Sequence, residues 1–241
     1  MRAVVMIPVD GDLDDQPERL AAWKFVHREL EVRDYKIVTA DTERGSPWRK
    51  GVALAYAREG AAIFDAELLI VHDADVLVSA EALAAAVSAV EAGAAWAMPH
   101  RLVHRLDEAT TDAILGGGNF PPTEPSYARK PYTGFQGGGI TVLRAETWDD
   151  CPVDHRFIGW GGEDEAWAWA LGCLYGPPWR GDADLWHLWH PHPEPNARHV
   201  STPQSHVLWR AYRAQRNRPD LMRRTLDGAR FTDAETGTRS A

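Results

Sequence analysis

The densest chemistry in the chain lies in Phe157-Ile158-Gly159-Trp160-Gly161-Gly162-Glu163-Asp164-Glu165-Ala166-Trp167. Glycines let a backbone turn sharply and approach a ligand closely. The three acids then open an apolar helical pattern (Ala166, Trp167, Ala170, Leu171), where they complement the helix dipole without any further role. Trp160 is not covered by that reading. An indole beside carboxylates holds a sugar, its face stacking on the apolar ring while the acids bond the hydroxyls. A second acidic pair, Asp73-Ala74-Asp75, follows the apolar run Leu68-Leu69-Ile70-Val71. It falls at the carboxyl end of a buried strand, where open α/β sheets bind ligands. Two acids at that spacing suit a hard cation; the alternative is a strand-ending Asp that caps the next helix, near Ser79 and Glu81. Further on come His187, His190 and His192. Strand geometry puts His187 and Trp189 on one face and Leu188 and His190 on the other. Asp41 ends an earlier strand at the same sheet edge, where it either accepts an N–H from a ligand or forms a turn. Arg49 and Lys50 are candidate phosphate or base contacts.

The elements that must position these groups alternate. Residues 2 to 8 read as a parallel strand buried on both faces. Pro17 opens a helix with Leu20, Trp23, Val26 and Leu30 on one side. Tyr35 to Ala40 is a strand, Trp48 to Arg58 a helix, Leu68 to Val71 a strand, Ala80 to Glu91 a helix and Ala94 to Met98 a strand. Such alternation predicts a parallel α/β sheet. From Arg101 to Lys130 the pattern breaks into a loop too long for a connection and suited to covering a site. Gly138 to Leu143 returns to strand, Glu163 to Leu171 to helix and Asp184 to Trp189 to a short strand. Pro203 to Arg216 and Pro219 to Leu226 read as closing helices. The segments Gly116 to Pro125 and His192 to Pro203 are expected to act as mobile lids.

At 241 residues, 44% hydrophobic and 25% charged, the chain reads as one folded domain, 1–232, with a disordered tail at 233–241. No apolar run is long enough for a membrane span, and the N-terminus reads as a strand rather than a signal peptide. Two cysteines make no disulfide framework, which points to a cytoplasmic location. A formal net charge of −9 argues against nucleic acid as a partner. The one basic patch (Arg210, Arg213, Arg216, Arg218, Arg223, Arg224) is either a solvated helix face or a holder for an anionic acceptor.

Tyr132-Thr133-Gly134-Phe135-Gln136-Gly137-Gly138-Gly139-Ile140, followed by Gly-Trp-Gly-Gly-Glu-Asp, resembles the C-terminal half of the β-1,4-galactosyltransferases and polypeptide N-acetylgalactosaminyltransferases. The likeness covers about residues 130 to 198 closely and the first hundred in outline. It implies a GT-A, family 2-like fold: α/β, Rossmann-like, with a mixed, mostly parallel central sheet flanked by helices. Residues 1–100 would form the nucleotide-binding half and 130–200 the acceptor and catalytic half. The implied activity is metal-dependent, inverting transfer of a sugar from a nucleotide-diphosphate donor, UDP-sugar favoured, to a glycan or other hydroxyl acceptor. By the same resemblance, Mn²⁺ (or Mg²⁺) is held by Asp75 and His187, with Asp73 at the metal-bound water or the ribose. The metal histidine is placed by Glu194-Pro195-Asn196, and His190 is its alternative. Asp164 is the implied general base and Glu163 orients the acceptor. Pro8, Asp41, Lys50, Asp73, Asp75, Gly138 and Trp160 would face the donor. The family has an arginine near the end of the first strand, where this chain has Pro8-Val9-Asp10. Two other readings are a sugar-phosphate nucleotidylyltransferase, which needs a basic Gly-rich loop where Asp10 to Asp15 stand, and a non-catalytic carbohydrate-binding protein. A homodimer is compatible with the sequence.

Overall fold

The computed structural model describes residues 1–134, 138–191 and 202–228. The apolar run after Met1 forms β1 (Ala3–Val9). Val4 and Met6 enter one core cluster while Val5, Ile7 and Val9 enter the other, as side-chain alternation requires of a strand covered on both faces. There follow α1 (Pro17–Val32), β2 (Lys36–Asp41), α2 (Lys50–Ala62), β3 (Leu68–His72), β4 (Val76–Leu77) and α3 (Ala80–Glu91). Next are β5 (Trp96–Arg105), α4 (Glu108–Leu115), β6 (Tyr132–Thr133), β7 (Ile140–Arg144) and α5 (Ala145–Asp150). The described chain closes with α6 (Glu163–Tyr175), β8 (Trp179–His187), α7 (Pro203–Gln215) and α8 (Pro219–Asp227).

The strands make one sheet in the order β2-β1-β3-β7-β5-β8-β4, with β6 on β5. β1 pairs in parallel with β2 and β3, and β5 with β8. β7 runs antiparallel between β3 and β5, because after α4 the chain turns back along β5 through β6 and re-enters the sheet at the end where β5 left it. The sheet is therefore mixed. Helices α2, α6, α7 and α8 pack on one face and α1, α3 and α4 on the other. The carboxyl ends of β1, β2 and β3 share one edge, and the chemistry gathers there. No helix among the described residues is long and apolar enough to cross a membrane.

The expected loop from Arg101 is partly ordered. β5 continues to Arg105, and α4 is capped by Asp107, whose Oδ1 accepts the Thr110 N–H at 2.9 Å. The period-two signal was lost because β5 pairs with β8 through register shifts between Met98 and Leu102. β8 begins at Trp179 rather than Asp184, and it ends at His187.

The helix that carries the acids is anchored by Trp167. Its ring is buried, meets Trp148 edge-on, and donates Nε1–H to the Cys151 carbonyl at 2.8 Å. Trp167→Ala should lower unfolding stability by about 3–5 kcal/mol, measured by urea denaturation; a loss below about 1 kcal/mol would mean that α6 is held by other contacts.

Candidate active site

Helix α2 delivers the central cation. Its first turn presses on the segment before the Gly-Trp loop: a Cβ on Gly51 would lie 2.7 Å from the His155 Cα and 2.8 Å from the Asp154 carbonyl. Only glycine permits that approach. Arg49 locks it, donating to the His155 carbonyl from Nε at 3.1 Å and Nη2 at 2.9 Å, so its guanidinium serves the fold. Lys50, 7% exposed, then reaches Asp73 Oδ1 at 2.6 Å and Asp164 Oδ1 at 2.7 Å. Burial alone would depress the ammonium, but Asp164 and Asp73 outweigh it and the net shift is upward. Lys50 is therefore charged, and it joins the end of β3 to the start of α6.

Asp73 is fully engaged. Its Oδ2 accepts the Gly139 N–H at 3.0 Å, and its own N–H donates to the Gly139 carbonyl at 2.9 Å. The helix-cap alternative for the Asp73–Asp75 pair is overturned, since Ser79 caps α3 by accepting the Ala82 N–H.

Gly159, Gly161 and Gly162 have φ of +79°, +88° and +92°, which side-chain-bearing residues rarely adopt. This turn places three acids in the first turn of α6. Asp164 keeps 29% of its side chain exposed, and its Oδ2 makes no hydrogen bond among the described residues. Burial raises its pKa and Lys50 counters the rise. Glu163 is buried with Oε2 unpartnered among the described residues, and burial followed by the Asp164 charge raises its pKa. Trp160 stacks on Trp48, with centroids 5.3 Å apart at 25°. The Arg19 guanidinium lies 4.3 Å from its ring centroid. Arg19 makes no hydrogen bond or ion pair among the described residues. Burial lowers its pKa, against the pull of Asp75 and Asp10.

Asp75 meets two histidines. Register pairs Val76 with His187, and the Leu188 N–H donates to the Asp75 carbonyl at 2.8 Å. Asp75 Oδ2 lies 2.9 Å from His190 Nε2 and 3.8 Å from His187 Nε2. One ligand atom from each of the three falls within 4.8 Å of the others. Each Nδ1 faces a backbone carbonyl, Leu188 O at 2.8 Å and Pro191 O at 3.0 Å. Carbonyls only accept, so each Nδ1 carries the proton. The guanidinium of Arg105, 3.3 Å from His187 Nε2, can only donate, which puts the lone pair there. His187 Nε2 thus presents a lone pair 3.8 Å from the acid, and His190 Nε2–H donates to Asp75 Oδ2. A divalent cation replacing that proton would find one carboxylate and two imidazole nitrogens, a donor set that fits it. The acid's pKa is pulled well below the usual range by His187 and His190, despite burial that acts the other way.

The structure thus gathers Lys50, Asp73, Asp75, Glu163, Asp164 and His187, and adds His190 beside His187. The strand alternation that separated the two histidines does not apply, because β8 stops at His187 and the chain turns. Asp73 stands outside the three-ligand group. Trp160 is engaged by Trp48 and Arg19 rather than presented alone. Asp41 is exposed at the end of β2, opposite Val9, and Pro8 is buried in β1 opposite Ala40. Gly138 lies in the bend before β7. Gly137, His192, Glu194-Pro195-Asn196, most of the 192–203 lid and the 233–241 tail lie outside the described residues. Arg19 and Arg105 were missed, since a lone arginine on a helix or strand carries no spacing signal.

No protein-family model matches the chain, and no curated protein does. Among solved structures, glucosyl-3-phosphoglycerate synthase from Mycobacterium tuberculosis, in complex with Mn²⁺, uridine diphosphate and phosphoglyceric acid, is similar with a TM-score of 0.51. The match covers 90% of this chain and 78% of that one at 12% identity. A Drosophila β-1,4-galactosyltransferase 7 mutant, in complex with manganese, UDP-Gal and xylobiose, matches 69% of this chain at 14% identity and a TM-score of 0.38. This chain spans 59% of that protein's length. Likeness at such identity speaks to the fold: the chain has the GT-A type of α/β fold found in nucleotide-sugar transferases.

Beneath Gly134 and Gly139 sits His100, buried with both ring nitrogens unpartnered among the described residues. Burial, then Arg180 and His72, push its imidazole down from 6.5 to about 3. Between those values the unfolded chain binds a proton that the folded chain refuses. The stability is therefore complete above 6.5 and is lost as pH falls, by up to about 1.4 kcal/mol per pH unit. In urea denaturation, His100→Phe should flatten the stability profile between about pH 4 and 6.5; an unchanged slope would assign the acid loss to other groups.

Proposed function

We propose that the protein is a metal-dependent, inverting glycosyltransferase that moves a sugar from a nucleoside-diphosphate donor, UDP-sugar favoured, to an acceptor hydroxyl. The observation that carries this reading is the convergence of Asp75, His187 and His190 beside the Lys50–Asp164 pair. One half of the site fits a cation with a diphosphate, and the other fits a base. Asp75, His187 and His190 would hold Mn²⁺ or Mg²⁺, which when bound neutralises charge on the leaving diphosphate. Arg19, without an ion-pair partner among the described residues and under the electrostatic pull of Asp75, supplies guanidinium donors to the same phosphates and takes the place of the arginine expected at the end of β1. Asp41 accepts from the base. Asp73 holds the Gly139 amide and thereby shapes the sugar pocket.

In the transfer step the bond between the anomeric carbon and the diphosphate oxygen breaks as the acceptor oxygen attacks from the opposite face. The hydroxyl proton passes to Asp164 Oδ2, and the bonding electrons leave with the diphosphate. Lys50 fixes Oδ1 and so orients the free oxygen. Glu163 accepts from or donates to the acceptor. The loop after β1 does not favour nucleotidyl transfer: Asp12 and Asp15 there pair with Arg44, and Asp10 accepts the Asp12 N–H.

Calorimetry with UDP should show binding that needs Mn²⁺ and is lost in Asp75→Ala and His190→Ala. Binding of equal strength without the metal would contradict the donor set. Asp164→Asn keeps its shape and most of its hydrogen bonding, so donor affinity should hold while transfer falls roughly 10²–10⁴-fold. Near-normal turnover in that variant would move the base elsewhere, first to Glu163.

A further inference from the structure

Helix α7 begins at the catalytic loop. Ser205 Oγ accepts the Ile158 N–H at 2.8 Å and donates to the Ile158 carbonyl at 2.9 Å, which fixes the first turn of α7 to the residue before Gly159-Trp160. One turn on, Trp209 Nε1–H donates to Glu165 at 2.6 Å, the neighbour of Asp164. From this point His206, Trp209, Arg210, Arg213, Arg216 and Asn217 follow one side of the helix and its end, at three- and four-residue spacing. They line an open cavity of about 520 Å³. The stripe leads outward over roughly 16 Å at the helical rise per residue.

The charge on this stripe is unspent. Some surface arginines pair with carboxylates, Arg44 with Asp15, Arg58 with Asp149 and Arg223 with Asp150, while others, such as Arg28, Arg101 and Arg129, stand apart from one another without a carboxylate among the described residues. Arg210, Arg213 and Arg216 are exposed and have no carboxylate partner among the described residues. In a chain of formal net charge −9, three unpaired guanidiniums on one line are a local reversal. The aromatic part is set between them, with the Arg213 guanidinium 5.2 Å from the Trp209 ring and His206 stacked on it at 5.8 Å. Guanidiniums match carboxylates in a bidentate way.

We propose that this stripe is an acceptor subsite for an acidic oligosaccharide, a uronate-bearing chain, resting on the glycosyltransferase reading. The carboxylates pair with Arg210, Arg213 and Arg216, and the terminal hydroxyl reaches Asp164. A long nucleic acid is disfavoured by the net charge and by the three acids that open α6. A membrane surface would need apolar residues interleaved with the arginines, and the exposed Val207 is not among the lining residues.

The test uses the intact protein, with trigalacturonate and a neutral trisaccharide, maltotriose, as probes in calorimetry. Trigalacturonate should bind and weaken as salt rises, and maltotriose should bind far more weakly. The triple variant Arg210→Ala, Arg213→Ala, Arg216→Ala should lose roughly tenfold or more in trigalacturonate affinity while UDP–Mn²⁺ binding is unchanged. Equal binding of the two trisaccharides, an unchanged triple variant, or arginine-dependent retention on anionic vesicles without trigalacturonate binding would overturn the subsite. Absent trigalacturonate binding with UDP–Mn²⁺ binding intact overturns the subsite alone. Absent UDP–Mn²⁺ binding to the unmodified protein overturns the transferase reading itself.

Discussion

A buried ammonium between two carboxylates is the constraint on which the rest of the site depends. Lys50 is nearly withdrawn from water, and each ion so buried costs several kcal/mol unless it is closely paired. The two bonds at 2.6 and 2.7 Å provide that pairing. They also demand that α2, β3 and α6 meet at one point, although their sequence positions are separated by 23 and 114 residues. Gly51 and Arg49 bring the start of α2 to the 154–155 backbone, and the left-handed glycines 159, 161 and 162 turn the chain so that α6 opens facing it. The folding constraints and the placement of the candidate base are the same set of contacts.

Two charge systems then stand side by side on one sheet edge. Lys50 with Asp73, Asp164 and Glu163 is closed on itself, apart from the outward oxygen of Asp164 and the unpartnered oxygen of Glu163. The second is Asp75 with His187 and His190, each ring held through Nδ1 by a backbone carbonyl so that its Nε2 faces the acid. Arg19 lies over Trp160 and feels the charge of Asp75. The division of labour between Asp73 and Asp75 follows from it: the first acid organises the loop at Gly139, and the second is left for a cation.

Much of this was legible in the sequence. β1 and α3 were readable from an unbroken apolar run and from the Ser79 cap, and α6 from the glycines and acids ahead of an apolar face. The acids themselves stood out because carboxylates at strand ends are costly without a partner. Other parts had no local signal. β4 is two residues long, yet its pairing with β8 brings Asp75 to His187. The shared role of His187 and His190 depends on where β8 stops, which period-two reasoning cannot supply. Arg19 acts from the first turn of a helix, and its use depends on where Trp160 comes to lie. Lys50 was found as a basic residue near the donor, but its double pairing is a tertiary fact, set by the approach that Gly51 allows.

The most direct test of the central claim is anomalous diffraction at the manganese edge from crystals grown with MnCl₂ and UDP. The account places one strong peak among Asp75 Oδ2, His187 Nε2 and His190 Nε2, with the diphosphate on its open side toward Arg19 and Lys50 still bonded to Asp164. A peak held by Asp73 and Asp164 with Lys50 displaced, or UDP bound with no peak at the three ligands, would contradict it.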